Sequence, residues 1–418
     1  MVAESPTRFV IVGNGVAGTT AAEHIRKNSP GAEITLVAGE PYPLYNRVAL
    51  PIFLKGRVPE KNVMMRTIDI HQQRNIDLRL ETWVTGLCLD ERTVVTAEGQ
   101  ELPFDRLLIA TGGTPRVLDA PGAYLHGVYQ FQTLDDTKAL VQRCEESRSA
   151  VALGGSYIGY ELAEAFSHRG LQTSWIMRGD RFLRRLLDHD GGQVVDALAR
   201  DRGVEVVYND WVSSIDSDNG VPKSVTTREG HTCPADMVGY GIGLRYYTEL
   251  AEQAGLEVRK SIITDEHLQT AVPDVYAAGD VAEFHDVTLD ANNQVGTWDN
   301  GASHGRLVAQ NMLGKSLTFT EVPTYVTTMF GSRLSVLGLT PESHPELERE
   351  VQVNLTTRKY RALFFYRGRL VGAVIIGILK GRRKLEECIK GRQPIEGDRR
   401  ALFDLLGSIE EPEPALEE

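Results

Sequence analysis

What the chain lacks narrows it first. No apolar run approaches the roughly 18 residues that a helix needs to cross a bilayer, so no membrane insertion is expected. The opening residues, Met1-Val2-Ala3-Glu4-Ser5-Pro6-Thr7-Arg8, lack the apolar core of a secretory signal, and a cytoplasmic setting is the default expectation. Cysteine is scarce. Cys88, Cys144, Cys233 and Cys388 stand far apart, so C-x-x-C and C-x-x-x-x-C are both absent and the four read as buried or incidental thiols. No metal site is expected. Excess positive charge is also missing: the formal net charge is −12, which argues against nucleic acid as a bulk partner. What remains is an ordinary globular composition, 42% hydrophobic and 24% charged, in 418 residues, enough for two or three domains.

The most informative stretch is Phe9–Glu40. An apolar run, Phe9–Val12, reads as a buried parallel strand. Gly13, Gly15 and Gly18 follow at G-x-G-x-x-G spacing, then a helical pattern through Ala21–Lys27 and a second strand, Ile34–Val37. Glu40 closes the unit. This is the dinucleotide fingerprint in its strand–turn–helix–strand setting. Gly13 makes the tight turn, Gly15 lets backbone approach a pyrophosphate, and Gly18 lets helix and strand pack closely. Val16 and Ala17 open the helix, whose free N–H groups face the phosphates. Glu40 accepts hydrogen bonds from a ribose. The loop after it, Pro41–Pro51, carries Arg47, which has the chemistry to pair with a diphosphate or to sit solvated. A short helix is expected at Ile52–Lys55.

Leu78–Val95 alternates as strands do, and Leu107-Leu108-Ile109-Ala110-Thr111-Gly112 is a buried strand ending in small residues. After a helix at Leu134–Arg143 a second fingerprint appears in Ala150–Glu161, with Gly154, Ser156 and Gly159 at the three motif positions. Tyr157 and Ile158 complete its turn. Ser156 replaces the middle glycine; its side chain narrows the turn and offers a hydroxyl to a phosphate. The strand that follows, Thr173–Met177, ends in Arg178 rather than an acid, and an arginine there accommodates a 2′-phosphate, which leans toward NADP. Further strands run to Gly241–Gly243 and to Gly279–Asp280, an acid placed to bind polyol hydroxyls. Asn300–Leu313 reads as a helix ended by Gly314.

From Phe319 the pattern changes to antiparallel strands at Arg333–Gly338, Val351–Leu355, Ala362–Tyr366 and Leu370–Ile376, with Arg367-Gly368 as a hairpin turn, and a helix at Arg383–Lys390. Between Leu355 and Arg400 thirteen basic residues face four acids, which is a solvated face or a dock for an acidic protein. The last residues, Ile409–Glu418, form an acidic, proline-bearing tail expected to be disordered.

Together the two fingerprints, the Ala110-Thr111-Gly112 turn and the Gly279-Asp280 strand end resemble the two-dinucleotide-binding-domain flavoproteins of the pyridine nucleotide-disulfide oxidoreductase superfamily. The resemblance runs from Phe9 to Leu313. It implies an α/β fold of two Rossmann-like domains, one for FAD and one for NAD(P)H, with a small α+β C-terminal domain. The expected limits are 1–120 and 245–318 for FAD, 121–244 for NAD(P)H, 319–408 for the C-terminal domain, and a tail at 409–418. Carried over position by position, FAD is held by Gly13, Gly15, Val16, Ala17, Gly18, Glu40, Arg47, Ala110, Thr111, Gly112, Gly279, Asp280 and Trp298. NAD(P)H is held by Gly154, Ser156, Tyr157, Ile158, Gly159, Glu161, Arg178, Gly241 and Gly243. Glu161 matches the glutamate near the flavin–nicotinamide contact and is the one catalytic candidate.

Tyr45-Asn46-Arg47, Trp298-Asp299-Asn300 and Gly368–Val374 look most like the ferredoxin, rubredoxin and nitrite reductase branch. That branch implies electron transfer from nicotinamide through FAD to a protein acceptor such as a ferredoxin, a rubredoxin or a partner reductase subunit. The acidic acceptor would dock on the basic C-terminal stretch; a homodimer is also allowed. Two departures stand out. Ferredoxin reductases usually place a lysine just after the Arg47-like position, paired with the Glu161-like acid. Here that position is Ile52, and the nearest lysine is Lys55. No cysteine lies between Glu40 and Met64, which disfavours disulfide reductase and cysteine-dependent oxidase chemistry. Two other readings remain: a direct oxidase or small-molecule reductase, and a flavin-binding sensor or interaction subunit with a decayed nicotinamide site.

Overall fold

The computed structural model describes residues 6–287 and 289–411. Of the tail expected to be disordered from Ile409, Ile409 is instead buried and its carbonyl accepts from Thr357 Oγ1 at 2.8 Å, and the part beyond Glu411 lies outside the described residues. The chain forms two compact units, one of residues 1–46, 61–114 and 245–323, the other of 47–60, 115–244 and 324–418.

The first unit is built on a five-stranded sheet ordered Val275–Ala277, Arg106–Ile109, Arg8–Val12, Glu33–Val37, Asp77–Arg79, with every neighbouring pair parallel. Its central strand is buried from Phe9 to Val12, as an apolar run covered on both faces must be. The first fingerprint helix, Val16–Asn28, packs against the helix Trp298–Met312. Two glycines make that approach possible. A side chain at Gly305 would stand 2.3 Å from the Ala17 carbonyl oxygen, and one at Gly301 would stand 2.9 Å from Val16. Phe9, Ile11, Ala21, Ala22, Ile25, Leu108, Val308 and Met312 share the core beneath.

The second unit repeats the parallel plan with strands Val204–Val207, Gln172–Ile176, Ser149–Leu153, Met237–Tyr240 and Val128–Gln130. Its C-terminal part is an antiparallel sheet ordered Thr324–Met329, Ser332–Gly338, Arg369–Ile376, Lys359–Tyr366, Glu348–Asn354, flanked by the helix Arg382–Gly391. The hairpin turn falls at Arg367-Gly368, whose φ values of 50° and 75° match the left-handed pair that suits strand twist. One helix, His189–Asp201, was not legible in sequence, because Gly191 and Gly192 stand in its first turn. Both glycines are packing requirements: side chains there would stand 3.0 Å from the Tyr360 ring and 2.7 Å from Arg181. Residues 47–60 belong to this unit because they are tied to the second fingerprint helix, Tyr157–His168, as described below.

Candidate functional site

In the first unit the fingerprint glycines divide into two kinds. Gly13 has φ 110°, and a side chain on it would stand 2.2 Å from the Ala110 carbonyl oxygen. Gly18 would place a Cβ 1.9 Å from the Gly13 carbonyl oxygen. The chain itself demands both. Gly15 is different: a side chain there meets nothing within 4 Å. Gly15 is also the helix N-cap and supplies no side-chain acceptor, so the first N–H groups of Val16–Asn28 keep no capping partner. An open cradle lined by backbone donors at a helix N-terminus fits a pyrophosphate. Gly112, with φ 64° and likewise nothing within 4 Å of a side chain, leaves the strand end open too.

Of the other residues expected at FAD, Glu40, Ala110, Thr111, Gly279, Asp280 and Trp298 lie in the same unit, whereas Arg47 lies in the second. The Ala110 N–H donates to the Val12 carbonyl at 2.8 Å, and Thr111 Oγ1 donates to the Tyr247 carbonyl at 3.2 Å. Glu40 accepts a 2.7 Å hydrogen bond from the Tyr45 hydroxyl, which orients the carboxylate. A side chain at Gly279, φ 77°, would touch Ala17 at 3.3 Å. The Asp280 carboxyl lies beside Gly296, just ahead of the helix that begins at Trp298. His304 is a contributor that sequence gave no reason to single out. Fully buried between Phe284 and Phe319, its Nδ1 accepts the Gly279 N–H at 3.3 Å. Burial pushes its pKa down to about 3, so it is neutral and able to accept.

The second fingerprint follows the same steric plan with a different centre. Side chains at Gly154 and Gly159 would stand 2.2 Å from the Gly241 carbonyl oxygen and 1.9 Å from the Gly154 carbonyl oxygen. Gly241 is itself closed in by Ile158, 2.5 Å from where its Cβ would be, and Gly243 has φ 101°. Ser156 caps the helix: its Oγ accepts from the Gly159 N–H at 3.3 Å and donates to the Gly241 carbonyl at 2.6 Å. Its hydroxyl proton is thus committed to the protein. Tyr157 stacks edge-on with Phe182 and lies 4.5 Å from Tyr325, centroid to centroid. Arg178, exposed at the end of its strand, lays its guanidinium 4.4 Å from the centroid of buried Trp211. Asp180, two residues on, is paired with Arg181 at 2.6 Å.

A charged cluster lies on one face of the second fingerprint helix, where Glu161, Glu164 and His168 recur at helical spacing. Lys55 Nζ reaches Glu164 Oε2 at 2.7 Å, with both side chains close to fully buried at 10% and 13% exposure. Arg57 meets the His168 ring at 3.3 Å, and Arg169 Nε donates to the Leu54 carbonyl at 2.6 Å. These bonds fix segment 47–60 to the helix. Arg47 is anchored in the same unit, donating to the Gln132 carbonyl at 2.8 Å. Lys55, the lysine nearest to Ile52, thus pairs with Glu164, one turn beyond Glu161. Surrounding protein strips water from the Glu161 carboxyl and pushes its pKa up to about 8. Lys55 opposes that rise, Glu164 adds to it, and a hydrogen bond from Tyr160 opposes it. The Tyr160 hydroxyl shares a 2.8 Å hydrogen bond with Thr327 of the C-terminal sheet. A neutral Glu161 is a proton-bearing group at physiological pH.

All four cysteines are unpaired. Desolvation raises every one of their pKa values, that of Cys144 to about 11, so none is a reactive thiolate at neutral pH. Among the described residues no group of three or more His, Cys, Asp and Glu side chains is placed to hold a metal, and no helix is long and apolar enough to cross a membrane.

Known proteins with this architecture were found by sequence and by structure. The assimilatory nitrate reductase electron transfer subunit of Bacillus subtilis (strain 168) is 26% identical, over 93% of this chain and 50% of its own length. The chain spans about half the length of that protein and of the Bacillus subtilis nitrite reductase [NAD(P)H]. The rubredoxin-NAD(+) reductase of Ectopseudomonas oleovorans is 28% identical, over 91% of this chain and 99% of its own. The solved covalent complex of putidaredoxin reductase with putidaredoxin matches with a TM-score of 0.89 at 26% identity, covering 96% of this chain and 98% of that one. Residues 7–305 match the pyridine nucleotide-disulphide oxidoreductase family. With two steric copies of the fingerprint in place, the chain belongs to that family, whose cofactors are FAD and NAD(P)H.

Proposed function

We propose that this chain is an FAD-dependent NAD(P)H oxidoreductase that passes electrons to a small acidic electron-transfer protein such as a ferredoxin or a rubredoxin, or to a partner reductase subunit. The flavin, when bound, supplies the conversion of a two-electron donor into single-electron output. The protein's share is binding, orientation and proton control. Gly13, Gly15, Gly18, Val16, Ala17, Glu40, Ala110, Thr111, Gly112, Gly279, Asp280 and Trp298 hold FAD, with Arg47 as a further candidate. Gly154, Ser156, Tyr157, Ile158, Gly159, Gly241 and Gly243 hold the nicotinamide dinucleotide. Arg178 selects NADPH over NADH: it is exposed and braced on Trp211, at a strand end that carries no acid. Glu161 keeps a carboxylic proton near neutral pH, and Lys55–Glu164 supplies the fixed ion pair beside it. The corresponding domain limits are 1–120 with 245–318, 121–244 and 319–408, except that segment 47–60, expected in the first of these, packs with the second unit.

One observation carries the choice of a protein acceptor over a disulfide. The segment 47–60 holds no thiol and is built instead around the Lys55–Glu164 pair, while the four cysteines elsewhere are all poor thiolates. Electrons have no cysteine relay through which to leave. Unpaired thiols also fit a cytoplasmic setting. Ser156 is an ordinary N-cap on an intact helix, which weakens the reading of a decayed nicotinamide site.

The dock is narrower than the thirteen bases of the C-terminal stretch imply. Lys359 and Arg361 are buried, Arg358 pairs with Asp201, Arg382 and Lys390 with Glu386, Arg399 with Glu348 and Arg400 with Glu350. Arg367, Arg369, Lys380, Arg383, Lys384 and Arg392 form no ion pair among the described residues, and they carry the docking charge. Anaerobic stopped-flow mixing tests the whole reading. NADPH should bleach the flavin, and the reduced protein should then reduce an acidic ferredoxin at a rate that falls as salt rises. Transfer that ignores salt removes the dock, and aerobic turnover equal to that with every protein acceptor favours a direct oxidase.

A further inference from the structure

Trp83 is the largest apolar side chain that the first unit leaves in water, 57% exposed. Trp175 and Trp211, by contrast, are buried. The ring of Trp83 is nevertheless held in place. The Thr82 N–H donates to the Ala38 carbonyl at 2.8 Å, the Glu81 N–H to the Glu40 carbonyl at 3.3 Å, and the Ala97 N–H to the Trp83 carbonyl at 2.8 Å. Glu81 turns the chain with φ 51°, a left-handed conformation rare for a residue with a side chain. Thr82 Oγ1 closes the turn on the Leu80 carbonyl at 2.9 Å. The indole then lies directly on Gly39: a Cβ at that glycine would stand 2.9 Å from both Cε2 and Cζ2 of the ring. Any larger residue at position 39 would push the indole away.

Gly39 and Glu40 follow the carboxyl end of the second fingerprint strand, Glu33–Val37, where the fingerprint places the adenosine ribose. The adenine is joined to that ribose by a single bond, so it lies within one sugar's reach of Glu40. A fixed, half-exposed aromatic face at that spot suits a purine, because every base has a π-face and stacking needs no hydrogen-bond partner. We propose that Trp83 is the platform on which the adenine of FAD stacks, with Gly39 kept bare to seat the indole. The proposal rests on the FAD reading of the first fingerprint. It makes Trp83 a cofactor-binding residue outside the glycine motifs.

The test is FAD release from the holoprotein on dilution, followed by the recovery of flavin fluorescence, in wild type, Trp83→Phe, Trp83→Leu and Trp83→Ala. Phenylalanine keeps a stacking face, whereas leucine keeps bulk without one. Release should quicken about tenfold or more in W83L and W83A and stay within about threefold of wild type in W83F. Equal release from W83L and W83F would overturn the proposal, since bulk alone would then explain the site, and so would wild-type release from W83A. Should W83A fail to fold, the phenylalanine and leucine pair still decides. A wild-type protein purified without the flavin absorption band would instead sink the FAD reading, and the platform with it.

Discussion

The two fingerprints are built to one steric plan and differ at one atom group. In both, the first glycine lies under a carbonyl of the next strand end and the last lies under the carbonyl of the first, at the same 2.2 Å and 1.9 Å would-be contacts. The middle position separates them. Gly15 touches nothing and leaves its helix uncapped, whereas Ser156 caps its helix and ties itself to Gly241. The outer glycines are thus obligations of the backbone, and the middle one is an obligation to the ligand. A cradle that must accept a pyrophosphate at backbone distance keeps its N–H groups free; one that spends a donor on its own cap holds its phosphates less closely. The copy with the open centre is the one expected to retain its cofactor, and the capped copy is the one that must exchange it at each turnover.

The comparison can be broken most severely at Gly18. Gly18→Ala forces a Cβ onto the Gly13 carbonyl, and overpacking of about 3 kcal/mol or more is expected, read as loss of soluble, yellow protein. Gly15→Ala should behave oppositely, holding the apoprotein's thermal midpoint while flavin retention falls. If both variants lose stability alike, the division into backbone and ligand obligations is wrong. Next in size is Lys55→Met, which strands Glu164 in a buried site and should cost about 3–5 kcal/mol in denaturant unfolding. The double variant Lys55→Met/Glu164→Leu should regain most of it.

Arg178→Ala should raise the KM for NADPH about tenfold and leave that for NADH nearly unchanged, as removal of one charge-assisted contact predicts. Equal effects on both nucleotides would assign the arginine to general binding.

The last prediction concerns pH. Glu161 is raised to about 8 in the folded state from its ordinary carboxylate value, so the folded chain holds a proton that the unfolded chain releases. Stability contributed by that proton is present at low pH and is lost as pH rises from about 4.5 toward 8. Glu161→Gln should therefore raise the thermal midpoint at pH 8.5 and change it little at pH 5. A gain that is the same at both would place the carboxyl in water.

Much of the candidate site was legible because its signals are local. The steric rule that makes Gly13 and Gly18 glycines acts over a few residues, and the apolar strands before them announce burial on both faces. The expected helices at Leu134–Arg143 and Arg383–Lys390 and the Arg367-Gly368 hairpin appear for the same reason. Trp83, His304 and Tyr45 gave no such signal. Each acts through a partner that only the fold brings near: Gly39 for the indole, the Gly279 N–H for the imidazole and the Glu40 carboxylate for the phenol. The count of thirteen bases was legible, but not which of them were already spoken for by acids such as Asp201, Glu348 and Glu350.

By itself the sequence determined that the chain carries two dinucleotide cradles and no thiol relay, since glycine spacing, strand patterning and the absence of cysteine are properties of short stretches. Tertiary structure alone decided that segment 47–60 belongs with the second fingerprint helix, and that Lys55 pairs with Glu164, 109 residues away, rather than with Glu161. The reason is physical. A buried ammonium needs a carboxylate at hydrogen-bond distance, and which one it meets depends on the face a helix presents after folding, not on distance along the chain.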